Sequence, residues 1–173
     1  METGTSEPPP PSLAKRVLVG RNPRNTLVRA VVWVVVLVII AKFVLVPIRV
    51  QGISMLPTFP SKGIKFINCC AYLFHPPQRG DIVAIETTGR HVMLCKRIIG
   101  LPGETIAFHE GRVLINGEPL SEPYVKFPCN WEQPSELIGP DEYYVVGDNR
   151  SMDFFQHDQG RADRHKIVGK VVP

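Results

Sequence analysis

Ser54 lies in the run Val50-Gln51-Gly52-Ile53-Ser54-Met55-Leu56-Pro57-Thr58-Phe59, and Lys96 follows forty-two residues later in Cys95-Lys96-Arg97-Ile98-Ile99-Gly100. A serine hydroxyl is a weak nucleophile until a base removes its proton. A lysine can be that base only as the neutral amine, so its pKa must fall from about 10.4 toward neutrality. Burial among apolar side chains drives it that way by penalising the ammonium form, by up to about 3–5 pH units. Val92, Met93, Leu94 and Cys95 before Lys96, with Ile98 and Ile99 after it, supply such surroundings. On a strand, Lys96 and Arg97 point to opposite faces, so one can enter an apolar site while the other meets solvent or a carboxylate. Together the two residues predict Ser–Lys nucleophilic catalysis.

The elements that must hold them are short strands punctuated by turn residues. Gly80-Asp81 opens a strand over 82–85, and 91–99 reads as a longer one. Segments 105–108 and 112–115 flank Glu110-Gly111, a hairpin signal, and Asn116-Gly117 is a type I′ signal in which both residues must accept positive φ. Segments 143–146 and 167–172 complete the pattern, and nothing after residue 50 has helical periodicity of useful length. The expected fold is mostly β, with one N-terminal transmembrane helix.

That helix is read from Ala30–Ala41, Lys42 and Phe43–Val46, a run without a polar face. Seventeen residues span roughly 26 Å, close to a hydrocarbon core. Lys42 can snorkel to the headgroups, and no small-residue cleavage site follows. The expected organisation is a disordered tail over 1–26, rich in proline, an anchor over 27–48 and a β-rich domain over 49–173. Five basic residues (Lys15, Arg16, Arg21, Arg24, Arg29) precede the span and Arg49 alone closely follows it. The positive-inside rule then leaves the N-terminus in the cytoplasm and exports the domain.

Charge also excludes a class. The chain carries +4 overall, but residues 49–173 hold 14 Lys/Arg against 14 Asp/Glu. A nucleic-acid binder would carry its basic surplus on the folded domain, so nucleic acid is not an expected partner. Cys69, Cys70, Cys95 and Cys129 show no zinc-ligand spacing and read as buried thiols or one disulfide.

Four motifs in order carry a family resemblance. Gly52-Ile-Ser-Met-Leu-Pro-Thr58, Arg79-Gly-Asp-Ile-Val83, Lys96-Arg-Ile-Ile-Gly-Leu-Pro-Gly-Glu104 and Val146-Gly-Asp-Asn-Arg150 resemble the conserved boxes of type I signal peptidases, the S26-type Ser–Lys proteases. The resemblance implies a β-rich, bacterial-like enzyme on the outer face of the cytoplasmic membrane. It would remove signal peptides from exported preproteins without cofactor or metal, as a monomer against membrane lipid. It implies Ser54 as nucleophile, Lys96 as general base and the Ser54 N–H as oxyanion donor. Some members add a serine hydroxyl two positions before the nucleophile; here that position is Gly52, which has no such donor. Arg97, Asp148, Asn149 and Arg150 are implied as supporting residues. Val50, Met55, Phe59 and Leu94 match segments lining shallow pockets, which would select small substrate side chains by excluding larger ones. An extended substrate would pair with a strand near Lys96.

After Arg150 the sequence departs from the family's Ser-x-Asp-Ser-Arg run and reads Ser151-Met-Asp153-Phe-Phe-Gln-His157-Asp158. Ser151, Asp153 and Asp158 are alternative groups to orient the lysine, and His91 and His157 are alternative bases. Two competing functions are an organellar or maturase-type relative and a β domain that holds extended peptides without cutting them.

Overall fold

The computed structural model describes residues 23–87, 93–154, 157 and 160–172. The expectations placed on His91 and Asp158, and on the tail over 1–22, lie outside these residues.

The chain divides into two compact units, residues 1–42 and 43–173. In the first, helix α1 spans Pro23–Ile39 and runs into a π-helical turn over Ile40–Val44. Helix begins inside the stretch expected to be tail because Pro23 has its φ already set for a first helical turn and needs no N–H there. The stretch Arg24–Lys42 is 19 residues long and apolar enough to cross a membrane. At 1.5 Å per residue it measures about 28 Å. Its apolar side chains are exposed, Trp33 at 67% and Leu37 at 62% among them, as lipid-facing residues would be.

The second unit opens with β1 (Leu45–Gln51), so the last residues of the expected anchor, 45–48, belong to a strand. Pro47 is the physical reason, since it lacks the N–H a continuing helix needs. It is tolerated in β1 because β1 is an edge strand. The remaining strands are β2 (Lys62–Asn68), β3 (Ile82–Glu86), β4 (Met93–Gly100), β5 (Thr105–His109), β6 (Arg112–Ile115), β7 (Glu118–Pro119), β8 (Gln133–Leu137), β9 (Glu142–Val146), β10 (Gly160–Asp163) and β11 (Ile167–Val172). They form a seven-stranded sheet ordered β1-β2-β11-β3-β4-β9-β10 and a four-stranded sheet ordered β7-β6-β5-β8. Every pairing between named strands is antiparallel. The domain is mostly β, as the sequence predicts.

Both hairpin signals hold. Glu110 and Gly111 lie at φ 48 and 72, and Asn116 and Gly117 at φ 52 and 85, the paired positive values of a type I′ turn. Strand alternation then divides the core. Tyr144 and Val146 of β9 join Ile99, Ile106, Phe108, Val113 and Trp131 in one cluster. Their neighbours Tyr143 and Val145 face the other way, joining Val83, Ile85, Ile98 and Ile167. At Gly100, a Cβ would come within 2.3 Å of Ile138 Cδ1. The bare backbone there lets β4 close against the turn before β9.

The Arg79-Gly80-Asp81 motif joins three strands. Gly80 N–H donates to Ile98 O (2.8 Å) and Ile98 N–H to Asp81 O (2.9 Å), seating the motif against β4. Asp81, buried, accepts from Lys170 Nζ on β11 (2.6 Å), the Gln78 N–H (3.1 Å) and the Tyr72 hydroxyl (3.1 Å). Burial alone would raise its carboxyl pKa, but these three donors together hold it below the ordinary carboxylate value. A carboxylate depressed on folding stabilises above its unfolded pKa of about 3.9 and loses that contribution as pH falls through the folded value. Asp81→Asn is therefore expected to lower the urea midpoint at pH 7, with the gap from wild type closing below about pH 4. A gap that stayed constant between pH 7 and pH 3 would contradict this assignment.

Candidate active site

The loop from Gly52 to Phe59 joins β1 to β2 and carries Ser54. Met55 and Phe59, 3% and 5% exposed, are buried in a cluster with Ile67, Ala84 and Val171. They peg the loop, while Phe59 N–H to Met55 O (2.9 Å) and Leu56 N–H to Ile53 O (3.1 Å) tighten it. Gly52, at φ 114, supplies the backbone conformation that turns the chain out of β1. Ser54 is left half-buried.

The loop docks on the segment after β9. Asn149 N–H donates to Ser54 O (2.9 Å) and Asn149 Nδ2 to Ile53 O (3.0 Å). Beside them, a Cβ on Gly147 would lie 2.3 Å from Ser54 O and 2.8 Å from His157 Cε1. Only glycine permits that approach.

Lys96 is 2% exposed. It pairs with Val83 across β3 and shares its strand face with Leu94 and Ile98. Its Nζ donates to the backbone carbonyl of His157. The His157 ring is fully buried, with Nε2 2.9 Å from Asn149 O and its centroid 4.8 Å from that of Trp131, edge to face. A carbonyl so placed makes Nε2 the protonated nitrogen, which donates at that position. Ser54 and Lys96 are thus both bonded, through the backbone or directly, to one short stretch from Gly147 to His157.

The other expected supporting residues act at a distance from this pairing. Arg97, on the opposite face of β4, donates from Nε to Asp148 Oδ1 (2.8 Å), from Nη2 to Oδ2 (2.6 Å) and from Nη1 to Gly80 O (2.8 Å). Asp148, fully buried, also accepts from the Thr58 hydroxyl and so fastens the far end of the Ser54 loop. Burial works against the Arg97 charge, but the bonds to Asp148 outweigh it and hold its pKa above the ordinary value. Arg150 is 1% exposed and pairs with Glu122 at 2.5 Å. Glu122 accepts from Tyr124 (2.7 Å), whose ring lies 4.0 Å from the Arg97 guanidinium. Burial and then Glu122 push the Tyr124 hydroxyl far up, so it stays a donor. Glu122 and Tyr124 are absent from the sequence expectations; buried Arg150 needs a carboxylate, but its spacing from Glu122 gives no sign of the match.

A groove of about 610 Å³ runs along β1 from Val46 to Gln51, past Gly52, Ser54 and Met55, to Met93, Leu94 and Cys95 of β4. Val50, Met55 and Leu94 line it, whereas Phe59 lies in the core cluster. Cys95 stands in the groove as a free thiol that burial pushes up to about 12, hence protonated at neutral pH. The other three cysteines are also free and half-buried. A larger hollow of about 810 Å³ between Pro128–Glu132 and Arg150–Phe154 contains neither Ser54 nor Lys96. The smaller groove is the candidate site because Ser54 lines it, with Lys96 next to its wall residue Cys95 in the chain. Ser151 donates to Asn149 Oδ1 (2.7 Å), which uses its hydroxyl locally.

Comparison with known proteins places the chain in a family. A family profile described as signal peptidase, peptidase S26, matches residues 24–173. Signal peptidase I of Leptolyngbya laminosa is 38% identical over 127 residues, 69% of this chain and 63% of its own length, so the chain spans somewhat under two thirds of that relative. A probable signal peptidase I-2 of Synechocystis is 34% identical over 159 residues, 86% of this chain and 73% of its own. Signal peptidase I V of Bacillus subtilis is 32% identical over 155 residues, 82% and 92% respectively. The match runs from within α1 through β11 and takes in the Ser54 loop, β4 and the segment after β9: the chain belongs to the signal peptidase family, peptidase S26.

Proposed function

We propose that this chain is a membrane-anchored serine endopeptidase that removes signal peptides from exported preproteins, with Ser54 as nucleophile and Lys96 as general base. One observation carries the reading. The serine loop and the buried lysine are both bonded to Gly147–His157, and the groove from β1 to β4 passes Ser54. An extended peptide in that groove would offer its scissile carbonyl to Ser54 while small side chains enter between Val50, Met55 and Leu94. Packed closely, those side chains would exclude larger ones by sterics.

Ser54 Oγ attacks the carbonyl carbon as its proton passes to neutral Lys96 Nζ, and the Ser54 N–H donates to the oxyanion that forms. Lys96 delivers the proton to the leaving amine, giving the new N-terminus and an ester on Ser54. Water attacks the ester with Lys96 as base, and the returned proton restores the serine. Asp148, Arg97 and Thr58 keep the loop in register with β4, and Arg150 with Glu122 holds the supporting segment. The helix Arg24–Lys42 would anchor the enzyme in a bacterial cytoplasmic membrane. The surplus of basic residues before the span favours the N-terminus inside and the β domain outside. It would act as a monomer beside the lipid surface.

Ser54→Ala and Lys96→Ala are each expected to reduce preprotein cleavage by at least about 10³-fold while leaving thermal unfolding near that of wild type. Turnover within tenfold of wild type in either variant would remove the dyad. Because the amine must be uncharged, the rate should rise with pH along a limb well below the free-lysine value of about 10.4. Lys96→Arg, which stays cationic, should be inactive at every pH; an active arginine variant with a limb near pH 6 would point to a histidine base instead. Gly52→Ser offers the hydroxyl that some family members carry, but at φ 114 any side chain is strained by about 1–2 kcal/mol. Its expected outcome is a lower melting temperature without a gain in kcat, read by calorimetry and steady-state kinetics.

A further inference from the structure

The family's orienting run after Arg150 is replaced in this chain, yet Lys96 is held. From the geometry we infer that His157 is a positioning residue for the lysine, acting through its backbone carbonyl and locked by its ring; the inference rests on Lys96 being the base. Four contacts form one path. Lys96 Nζ donates to His157 O. The His157 ring donates from Nε2 to Asn149 O at 2.9 Å. Asn149 in turn holds the nucleophile loop through its N–H to Ser54 O (2.9 Å) and its Nδ2 to Ile53 O (3.0 Å). Trp131 packs edge-on against the His157 ring at 4.8 Å and is itself 5% exposed, with Nε1 donating to Met152 O at 3.2 Å. The ring therefore fixes where the carbonyl points, and the same asparagine that receives the ring fixes where Ser54 sits.

This arrangement explains two features that otherwise lack a reason. A histidine that is fully buried must satisfy its ring in place, and Asn149 O does so for the donor nitrogen. Gly147 must be glycine because the Ser54 carbonyl and the His157 ring both press against its α-carbon. The base and nucleophile thus share a single clamp. Loosening the ring should displace the amine from Ser54 without emptying the substrate groove, whose walls lie on β1, the nucleophile loop and Met93–Cys95.

The test uses the full chain in detergent with a preprotein or signal-peptide substrate. His157→Leu, which keeps bulk but removes the donor, is expected to lower kcat about 10–100-fold, the scale of an ångström-sized misplacement, with KM changed less than about twofold. His157→Gln should restore most of the rate, because its amide Nε2 can donate to Asn149 O from nearly the same place. Melting temperatures of both variants separate lost fold from lost positioning. A leucine variant with wild-type kcat overturns the proposal, as does a glutamine variant as slow as leucine at equal stability, or a loss confined to KM. Lys96→Ala run alongside keeps the two readings apart: if it is inactive while His157→Leu is fully active, only the positioning role falls. If Lys96→Ala cleaves normally, the dyad itself falls.

Discussion

A lysine amine taken out of water is the constraint around which this domain is built. Lys96 sits on β4, flanked in the sheet by β3 and β9, with 2% of its surface exposed. Desolvation makes the charged form costly, which is the property a general base requires. The same desolvation makes an unbonded amine costly, so a buried lysine needs an acceptor that does not itself ionise. A backbone carbonyl meets that need. It accepts from either protonation state and adds no full negative charge that would hold the ammonium in place. The carbonyl of His157 is such a group, and the strands beside β4 must deliver it.

Strand alternation separates the polar tasks. Lys96 faces the apolar side with Leu94 and Ile98, while Arg97, one residue on, turns to buried Asp148 and reaches Gly80 O. Fixing the guanidinium to a carboxylate on the far face leaves no full negative charge paired with Lys96 through that contact. Asp148 also takes the Thr58 hydroxyl, so the Ser54 loop is tied to the strand that carries Lys96. Arg150 and Glu122 extend the network to the segment before β8. Such a buried pair contributes little net stability compared with an apolar replacement, but removing one partner strands a charge and typically costs about 3–5 kcal/mol. Its value lies in fixing the segment that leads to His157.

Much of this was legible in the sequence where the physics is local. Short apolar runs bounded by turn residues located β3, β4, β5, β6, β9 and β11, and Glu110-Gly111 and Asn116-Gly117 located their turns through the positive φ they accept. Strands lacking that pattern were missed. β10 is Gly-Arg-Ala-Asp and β8 is Gln-Pro-Ser-Glu-Leu, with too few apolar residues to alternate. β2 alternates in the unhelpful sense, exposing Ile64 at 64% and Phe66 at 41% while Lys65 folds over the Phe59 ring at 4.6 Å. β1 continues the apolarity of the preceding helix, so composition alone could not mark where one ended; its pairing with β2 did.

At the site, residue types announced themselves but partners did not. Ser54, Lys96, Arg97 and Asp148 were visible as motifs, whereas Glu122 and Tyr124 lie on a segment without a motif and meet Arg150 and Arg97 only in the folded chain. The histidine is the sharper case. A buried imidazole beside the Ser54 loop invites assignment as a base, and against it the sequence sets only the fit of Lys96-Arg-Ile-Ile-Gly100 to the lysine class. The structure gives its Nε2 to Asn149 O, which makes that nitrogen a donor, and gives its main-chain oxygen to the lysine. A main-chain acceptor exists at every position, so no residue type encodes it and no motif search can find it. What the sequence does encode is the means of aiming it: a ring of the right size against Trp131, an asparagine to hold both ring and nucleophile loop, and a glycine at 147 where any side chain would force them apart. The run after Arg150 thus differs from the family pattern in its side chains, and a main-chain oxygen within it accepts from Lys96.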